Sequence, residues 1–322
     1  MKKALITGIN GQDGSYLAEF LLNKGYKVVG LVRRSSIENS EKLKNISHIL
    51  DKIELVTYPL DNPLSVYRMI SSIQPDECYH LAGSSFVSYS LEEDISIMSN
   101  NFQATYNLLT AVIETCPKCK LYFAGSSEIF GDANVSPQTE ETAYNPRSVY
   151  GISKLASHHL IKNYRTRYNI FACTGFTYNH ESPRRGKSFV SRKITSAAAA
   201  ISLGLLNKLE LGNIDALRDW GYAPEYVEAM WKMLNAKQPV DYIISTGILH
   251  SVKDVLDIAF SYLNLDWNNY VVLNEKFNRG KEQISLCGNP QRIYLELGWK
   301  AKKDFKDMIV EMVENDLKKI KN

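Results

Sequence analysis

Three glycines at a spacing of three, Gly8, Gly11 and Gly14 in T-G-I-N-G-Q-D-G, separate the first apolar run from the first amphipathic stretch. Glycine at such a junction permits a tight turn and lets a pyrophosphate reach the backbone N–H groups that open the next helix. A triplet in that place, with Gln12 and Asp13 inside it, predicts a dinucleotide-binding strand–turn–helix. A purely structural turn that needs positive φ is the alternative.

The rest of the first half fits that frame. Short β-branched or aromatic runs at Lys3–Thr7, Lys27–Val32, Ile53–Tyr58, Glu77–Ala82, Lys120–Ser126 and Ile170–Thr177 alternate with helical stretches. The helices are expected near Gly14–Lys24, Pro63–Ile73, Asp94–Glu114 and Ser148–Tyr168. Strands apolar on both faces, alternating with helices, predict an α/β fold with a Rossmann-like, doubly wound parallel sheet. Beyond Thr177 come loops rich in Pro, Arg and Gly (Ser182–Lys187 and Asn274–Lys281), with one more strand of the main sheet at Val240–Gly247. A smaller, interleaved C-terminal substrate lobe is therefore expected. Residues 1–177, with about 213–247 returning, would form the dinucleotide-binding domain, and 178–212 with 248–322 the lobe.

The net charge of +3 offers no electrostatic case for a nucleic-acid or membrane partner. No stretch approaches the roughly 18 apolar residues of a membrane span, and the N-terminal run is too short for a signal peptide. Five irregularly spaced cysteines suit the reduced thiols of a cytoplasmic protein. Cys116 and Cys119 form a C-P-K-C without the second pair that a zinc framework uses, and no metal is expected.

The second strand ends in Arg33-Arg34-Ser35-Ser36. Enzymes that use NAD place an acidic residue here for the ribose hydroxyls, whereas guanidinium groups pair with a 2′-phosphate. NADP is the expected cofactor and NAD the alternative. At the end of the fourth strand, His80-Leu81-Ala82-Gly83 supplies small residues that let the chain pass under a cofactor, or that serve packing alone.

The candidate chemistry follows the fifth strand, where Ser126-Ser127-Glu128 stands at the edge of the sheet that binds ligands. Downstream, Tyr150 and Lys154 are four apart and share one helix face. A phenol with a pKa of about 10 is a poor base at neutral pH. A nearby ammonium and a nicotinamide's positive charge would favour the phenolate, and Ser126 would hydrogen-bond the same substrate hydroxyl.

Glycine turn, strand-end serine and Y-x-x-x-K together resemble the extended short-chain dehydrogenases. Within them the chain is most similar to the GDP-mannose 4,6-dehydratase family. The resemblance runs through A-L-I-T-G-I-N-G-Q-D-G-S-Y-L-A-E-F-L-L, L-V-R-R-S-S, S-S-E-I-F-G, N-P-R-S-V-Y-G-I-S-K, N-H-E-S-P-R-R-G and L-G-N-I-D-A-L-R-D-W-G. It implies that Tyr150 takes the C4 hydroxyl proton of a GDP-sugar while hydride passes to the cofactor. Glu128 would then remove the C5 proton and help water leave C6, with Ser126 and Lys154 completing the catalytic set. Cofactor contacts are implied for Gly8, Gly11, Gln12, Asp13, Gly14, Arg33, Arg34, Asp61, Leu81, Ala82, Tyr150, Lys154, Asn179 and Arg185. Substrate contacts are implied for Ser84, Ser85, Asn179, Lys193, Arg218, Arg279 and Glu282. The R-R-S-S and S-P-R-R-G loops resemble segments that join subunits, which implies a homotetramer or homodimer.

Several positions depart from that family's pattern. Pro59 stands where an aspartate faces the adenine, leaving Asp61 as the candidate. Ser126 replaces a threonine, and Tyr222-Ala-Pro224-Glu225-Tyr226 follows R-D-W-G in place of a more basic stretch. These changes surround the ligands more than the proton-transfer set. They suggest a related GDP-sugar, a heptose included, or a reaction that stops at C4 as a dehydrogenase, epimerase or 4-keto reductase. A non-catalytic NADP-binding scaffold is the third reading, and it would not require the intact Ser, Tyr and Lys set.

Overall fold

The computed structural model describes residues 1–84, 91–274 and 285–321. The chain begins β1 (Lys3–Thr7), α1 (Gln12–Asn23), β2 (Lys27–Leu31), a single turn α2 (Arg34–Ile37), β3 (Glu54–Val56), α3 (Pro63–Ile73) and β4 (Glu77–His80). It continues with α4 (Leu91–Met98), a π turn (Ser99–Gln103), α5 (Ala104–Thr115), β5 (Lys120–Ala124), α6 (Val149–Tyr168) and β6 (Ala172–Thr177). Then follow β7 (Asn179–Glu181), α7 (Val190–Ser202), β8 (Leu209–Leu211), β9 (Leu217–Tyr222), α8 (Ala223–Leu234), β10 (Tyr242–Ile244) and β11 (Leu249–Ser251). The last elements are α9 (Val252–Tyr262), β12 (Val271–Leu273), α10 (Gln291–Leu297) and α11 (Phe305–Lys321).

Among the described residues the main sheet has seven strands, all parallel, in the order β10-β6-β5-β4-β1-β2-β3. Strand order reverses between β1 and β4, and the chain there leaves a crevice beyond the carboxyl ends of both strands. Side chains alternate across the sheet. Ala4 and Ile6 enter a core with Leu17, Leu21 and Met230 of α1 and α8, while Leu5 enters the opposite core with Val66, Leu108 and Ile161 of α3, α5 and α6. Both faces are covered, which is why the strands lack polar alternation.

Local chemistry sets the helix starts. Asn62 accepts from Ser65 N and Pro63 takes the first helical position, so α3 begins there. Ser148 accepts from Gly151 N at 3.0 Å and starts α6. A reciprocal Ser251–Asp254 capping box starts α9.

Beyond β6 a second layer forms, with β11-β9-β7 in one small sheet and β12-β8 in another. Its core joins Ile194, Trp220, Leu256, Phe260 and Met312 of α7, β9, α9 and α11. The chain then returns to the main sheet, where α8 packs on α1 and β10 pairs with β6. The expected Val240–Gly247 strand is therefore present as Tyr242–Ile244. The helix expected at Asp94–Glu114 is instead two helices joined by the π turn, on which the Asn101 carbonyl accepts from the Thr105 hydroxyl at 2.7 Å. The Asn274–Lys281 loop lies largely outside the described residues.

Candidate active site

A cleft of about 2140 Å³ opens at the strand-order reversal and continues between the sheet and the second layer. Its floor is the glycine turn. Gly8 has φ +74° and passes so close to β4's end that a Cβ would lie 3.1 Å from Ala82. A Cβ on Gly14 would lie 2.3 Å from the Gly8 carbonyl oxygen. Both glycines are thus required for the strand, turn and helix to pack, and they leave the opening turn of α1 bare for a pyrophosphate.

Gln12 and Asp13 face a second segment rather than solvent. Gln12 donates to His180 O at 3.0 Å and accepts from Ser182 Oγ at 2.8 Å. His180 donates from Nε2 to Asp13 at 2.8 Å and from Nδ1 to Tyr178 O at 2.7 Å. Both partners are pure acceptors, which requires an imidazolium. Burial pushes the His180 pKa down, but Asp13 outweighs it and the net direction is up. Asp13 moves below the ordinary carboxylate range for the reciprocal reason: burial raises it, and His180 more than offsets that.

At the far end of the cleft, Arg33 and Arg34 are exposed beside Ser35 and buried Ser36, with Arg34 paired to Glu38 at 3.5 Å. Lys42 donates to Ser35 at 3.4 Å and lines the same wall, a cation that sequence spacing did not single out. Asp61 is exposed on the rim.

The β4 end is braced by a relay of hydrogen bonds. Thr7 Oγ1 accepts from the N–H groups of Leu81 (3.1 Å) and Ala82 (3.0 Å), and so gives its own proton to His80 Nδ1 at 2.9 Å. His80 Nε2 then carries the ring hydrogen and donates to Thr105 at 3.1 Å. Burial, followed by the Lys154 charge, pushes His80 down to about 3, and the ring is neutral. Asn101 is 2 % exposed on the π turn. It accepts from Ser84 N at 2.8 Å and donates to Ser153 Oγ at 3.1 Å, which in turn donates to Tyr150 O at 2.8 Å. The Asn101–Thr105 spacing of four was the only sequence signal for this brace.

Ser126 caps the short turn Ser127–Ile129 by accepting from Glu128 N at 3.2 Å. Gly151, at the start of α6, allows that turn to approach, since a Cβ there would lie 2.6 Å from Glu128 O. This contact brings Tyr150 against Ser126, whose side chain lowers the phenol's pKa. Burial pushes Tyr150 up to about 12; Ser126 lowers it, Glu128 raises it and Arg185 lowers it. Lys154 stands one helical turn beyond Tyr150 on α6. Its ammonium donates to Ala124 O at 2.7 Å and stands 5.8 Å from the Tyr150 ring centroid, and burial pushes it down to about 8. The strand-end carbonyl holds it beside the phenol.

Across the cleft, Arg185 pairs with Glu181 at 3.2 Å and stacks 3.6 Å over Phe189. Arg184 donates to Ser15 at 3.0 Å and Glu19 at 2.5 Å within its own chain. Asn179 lines the cleft beside β9; Lys193 donates to Glu210 O at 2.6 Å and Arg218 to Leu217 O at 2.7 Å. Leu81, Ala82 and Ser84 line it as well, while Ser85, Arg279 and Glu282 lie outside the described residues.

A doubly wound sheet with a glycine turn at its switch point, and Ser, Tyr and Lys on the facing wall, defines the Rossmann-type short-chain dehydrogenase class. The fold of UDP-glucose 4-epimerase from Thermotoga maritima superposes with a TM-score of 0.86 at 20% identity, over 99% of each chain. That of dTDP-glucose 4,6-dehydratase from Bacillus anthracis, solved with NAD, also gives 0.86 at 20% identity, over 100% of this chain and 98% of that one. Sequence narrows the class. Residues 5–312 match the GDP-mannose 4,6 dehydratase family, and the chain belongs to it. It is 45% identical to GDP-mannose 4,6 dehydratase 2 of Arabidopsis thaliana, over 98% of this chain and 87% of that one. It is 39% identical to the human GDP-mannose 4,6 dehydratase, over 98% and 91%, and 39% identical to that of Yersinia enterocolitica, over 100% and 95%.

Proposed function

We propose that the chain is an NADP-dependent 4,6-dehydratase acting on GDP-mannose or a related GDP-hexose or heptose. The observation that carries this reading is the convergence of Ser126, Glu128, Tyr150 and Lys154 on one wall of the cleft floored by the glycine turn. A dinucleotide fits the residues present: Gly8, Gly11 and Gly14 leave the start of α1 uncovered, and Arg33, Arg34 and Lys42 suit a 2′-phosphate better than a bare ribose. When bound, NADP supplies the hydride acceptor at C4 and the hydride donor at C6.

The chain's own residues handle the protons. Tyr150 takes the C4 hydroxyl proton while Ser126 holds the same oxygen. Bringing the phenol from about 12 to neutrality takes roughly 7 kcal/mol at about 1.36 kcal/mol per pKa unit. That figure already includes the lowering by Ser126 and Arg185, so the oxidised cofactor's positive charge would supply what remains. A C4 ketone acidifies the C5 proton, which Glu128 removes and then delivers to the departing C6 hydroxyl, and C5 is reprotonated when hydride returns to C6, so protons and electrons balance. Asn179, Lys193, Arg218 and Ser84, together with Ser85, Arg279 and Glu282, would hold the nucleotide diphosphate sugar, cations on phosphates and Glu282 on a diol or base edge. Assembly would be a homotetramer or a homodimer.

Glu128→Gln separates this reading from one that stops at C4. With GDP-mannose and NADP⁺, the variant is expected to form the 4-keto sugar and accumulate reduced cofactor at 340 nm in about one equivalent, without losing water. A variant that eliminates water at the wild-type rate would remove Glu128 from the proposal.

A further inference from the structure

Three of the five cysteines meet at the edge of the sheet opposite the cleft. Cys78 lies in β4, Cys116 just after α5 and Cys119 just before β5, and none lines the cleft. Cys116, Pro117, Lys118 and Cys119 form a turn in which Cys119 N donates to Cys116 O at 2.9 Å. Such a turn holds its end Cα atoms within about 7 Å, close to the roughly 4.4–6.8 Å that a disulfide spans. Pro117 at the second position of the turn presets its φ.

The two thiols differ in a way that assigns them roles. Cys116 Sγ donates to Pro75 O at 3.5 Å, and Cys119 Sγ donates to Lys120 O at 3.6 Å. Cys116 is 9 % exposed beneath the exposed Pro117 and Lys118, against 1 % for Cys119 and 0 % for Cys78. The neighbouring Cys119 thiol brings Cys116 down to about 7 against the upward push of burial, while Cys119 rises well above the ordinary thiol range. A less enclosed thiol of lowered pKa beside a fully enclosed one is the pairing that thiol–disulfide exchange uses.

We infer that Cys116 and Cys119 form a redox-active pair that takes small-molecule disulfides as its substrate class and closes to an intramolecular disulfide. The Cys116 thiolate attacks one sulfur of R–S–S–R. That bond breaks, RS⁻ leaves, and Cys116 carries a mixed disulfide. Cys119 then gives up its proton and attacks the Cys116 sulfur, expelling the second RS⁻. Two protein thiols are oxidised, one small disulfide is reduced, and the two protons released by the cysteines end on two RSH. The ring closed is only a turn, and the cleft lies at the other edge of the sheet, so turnover is expected to persist in the oxidised protein.

The test treats the folded full-length chain with glutathione disulfide. Accessible and total thiols are counted, and the intact mass and a tryptic map, which cuts at Lys118, are recorded. Expected are a fall from five thiols to three, loss of about two mass units, for the two hydrogens removed, and a Cys116–Cys119 cross-link that dithiothreitol reverses. Cys119→Ser is expected to stop at a stable glutathione adduct on Cys116, and Cys116→Ser to take up none at Cys119. Five thiols surviving until the protein is unfolded, or a cross-link through Cys78, would overturn the inference.

Discussion

Lys154 illustrates how a single residue is poised for function against stability. Its folded pKa of about 8 lies below the ordinary 10.5 because burial penalises the ammonium. Below pH 8 the group is charged folded and unfolded, and the penalty is carried in full. Between about 8 and 10.5 the folded protein binds fewer protons, so stability rises with pH. Lys154→Met is therefore expected to unfold at higher temperature at pH 7, by on the order of 1–3 kcal/mol, while losing turnover. Its advantage over wild type should shrink as pH approaches 10, which parallel melts would record. Arg33 and Arg34 belong to the same scale. Their joint replacement by alanine is expected to raise KM for NADP about tenfold, about 1.4 kcal/mol, and to leave KM for NAD near its starting value. Equal losses for both cofactors would argue against a 2′-phosphate site there.

At the scale of elements, the contact between α6 and the turn after β5 decides the geometry of the site. Gly151→Ala would push a methyl group to 2.6 Å from Glu128 O, moving Tyr150 away from Ser126. Turnover is expected to fall about 10–100-fold with the fold retained, and kcat beside a far-ultraviolet spectrum would show it. Much of this was legible in the sequence, because period and spacing report local geometry. The glycine triplet, the Tyr150–Lys154 spacing and the strand-end Ser126 each fell in the element expected, with strand ends displaced by one or two residues. The brace from Thr7 through His80, Thr105 and Asn101 was not legible, since its partners are 73 and 25 residues apart and meet through tertiary packing. Nor was the Lys154 bond to Ala124 O, since helix spacing fixes a face and not which acceptor lies beneath it. The strands β7, β8, β11 and β12 have three residues each, as do β3 and β10, but lack the longer apolar runs that made those two legible.

For the whole molecule, the interleaved path of the chain ties cofactor to substrate. After β6 it crosses the cleft mouth through Asn179–Arg185, where His180 and Ser182 lock onto Asp13 and Gln12 of the glycine turn. It then builds the second layer and returns through α8 to β10. One wall thereby carries the dinucleotide turn and the proton-transfer set, and the other the cations suited to a sugar's diphosphate. The decisive measurement is mass spectrometry of the nucleotide sugar after incubating the purified protein with GDP-mannose and catalytic NADP⁺. The account predicts a product lighter by one water, with no net change in cofactor oxidation state. Recovery of a sugar of unchanged mass, whether epimerised at C4 or oxidised there with stoichiometric cofactor reduction, would contradict it.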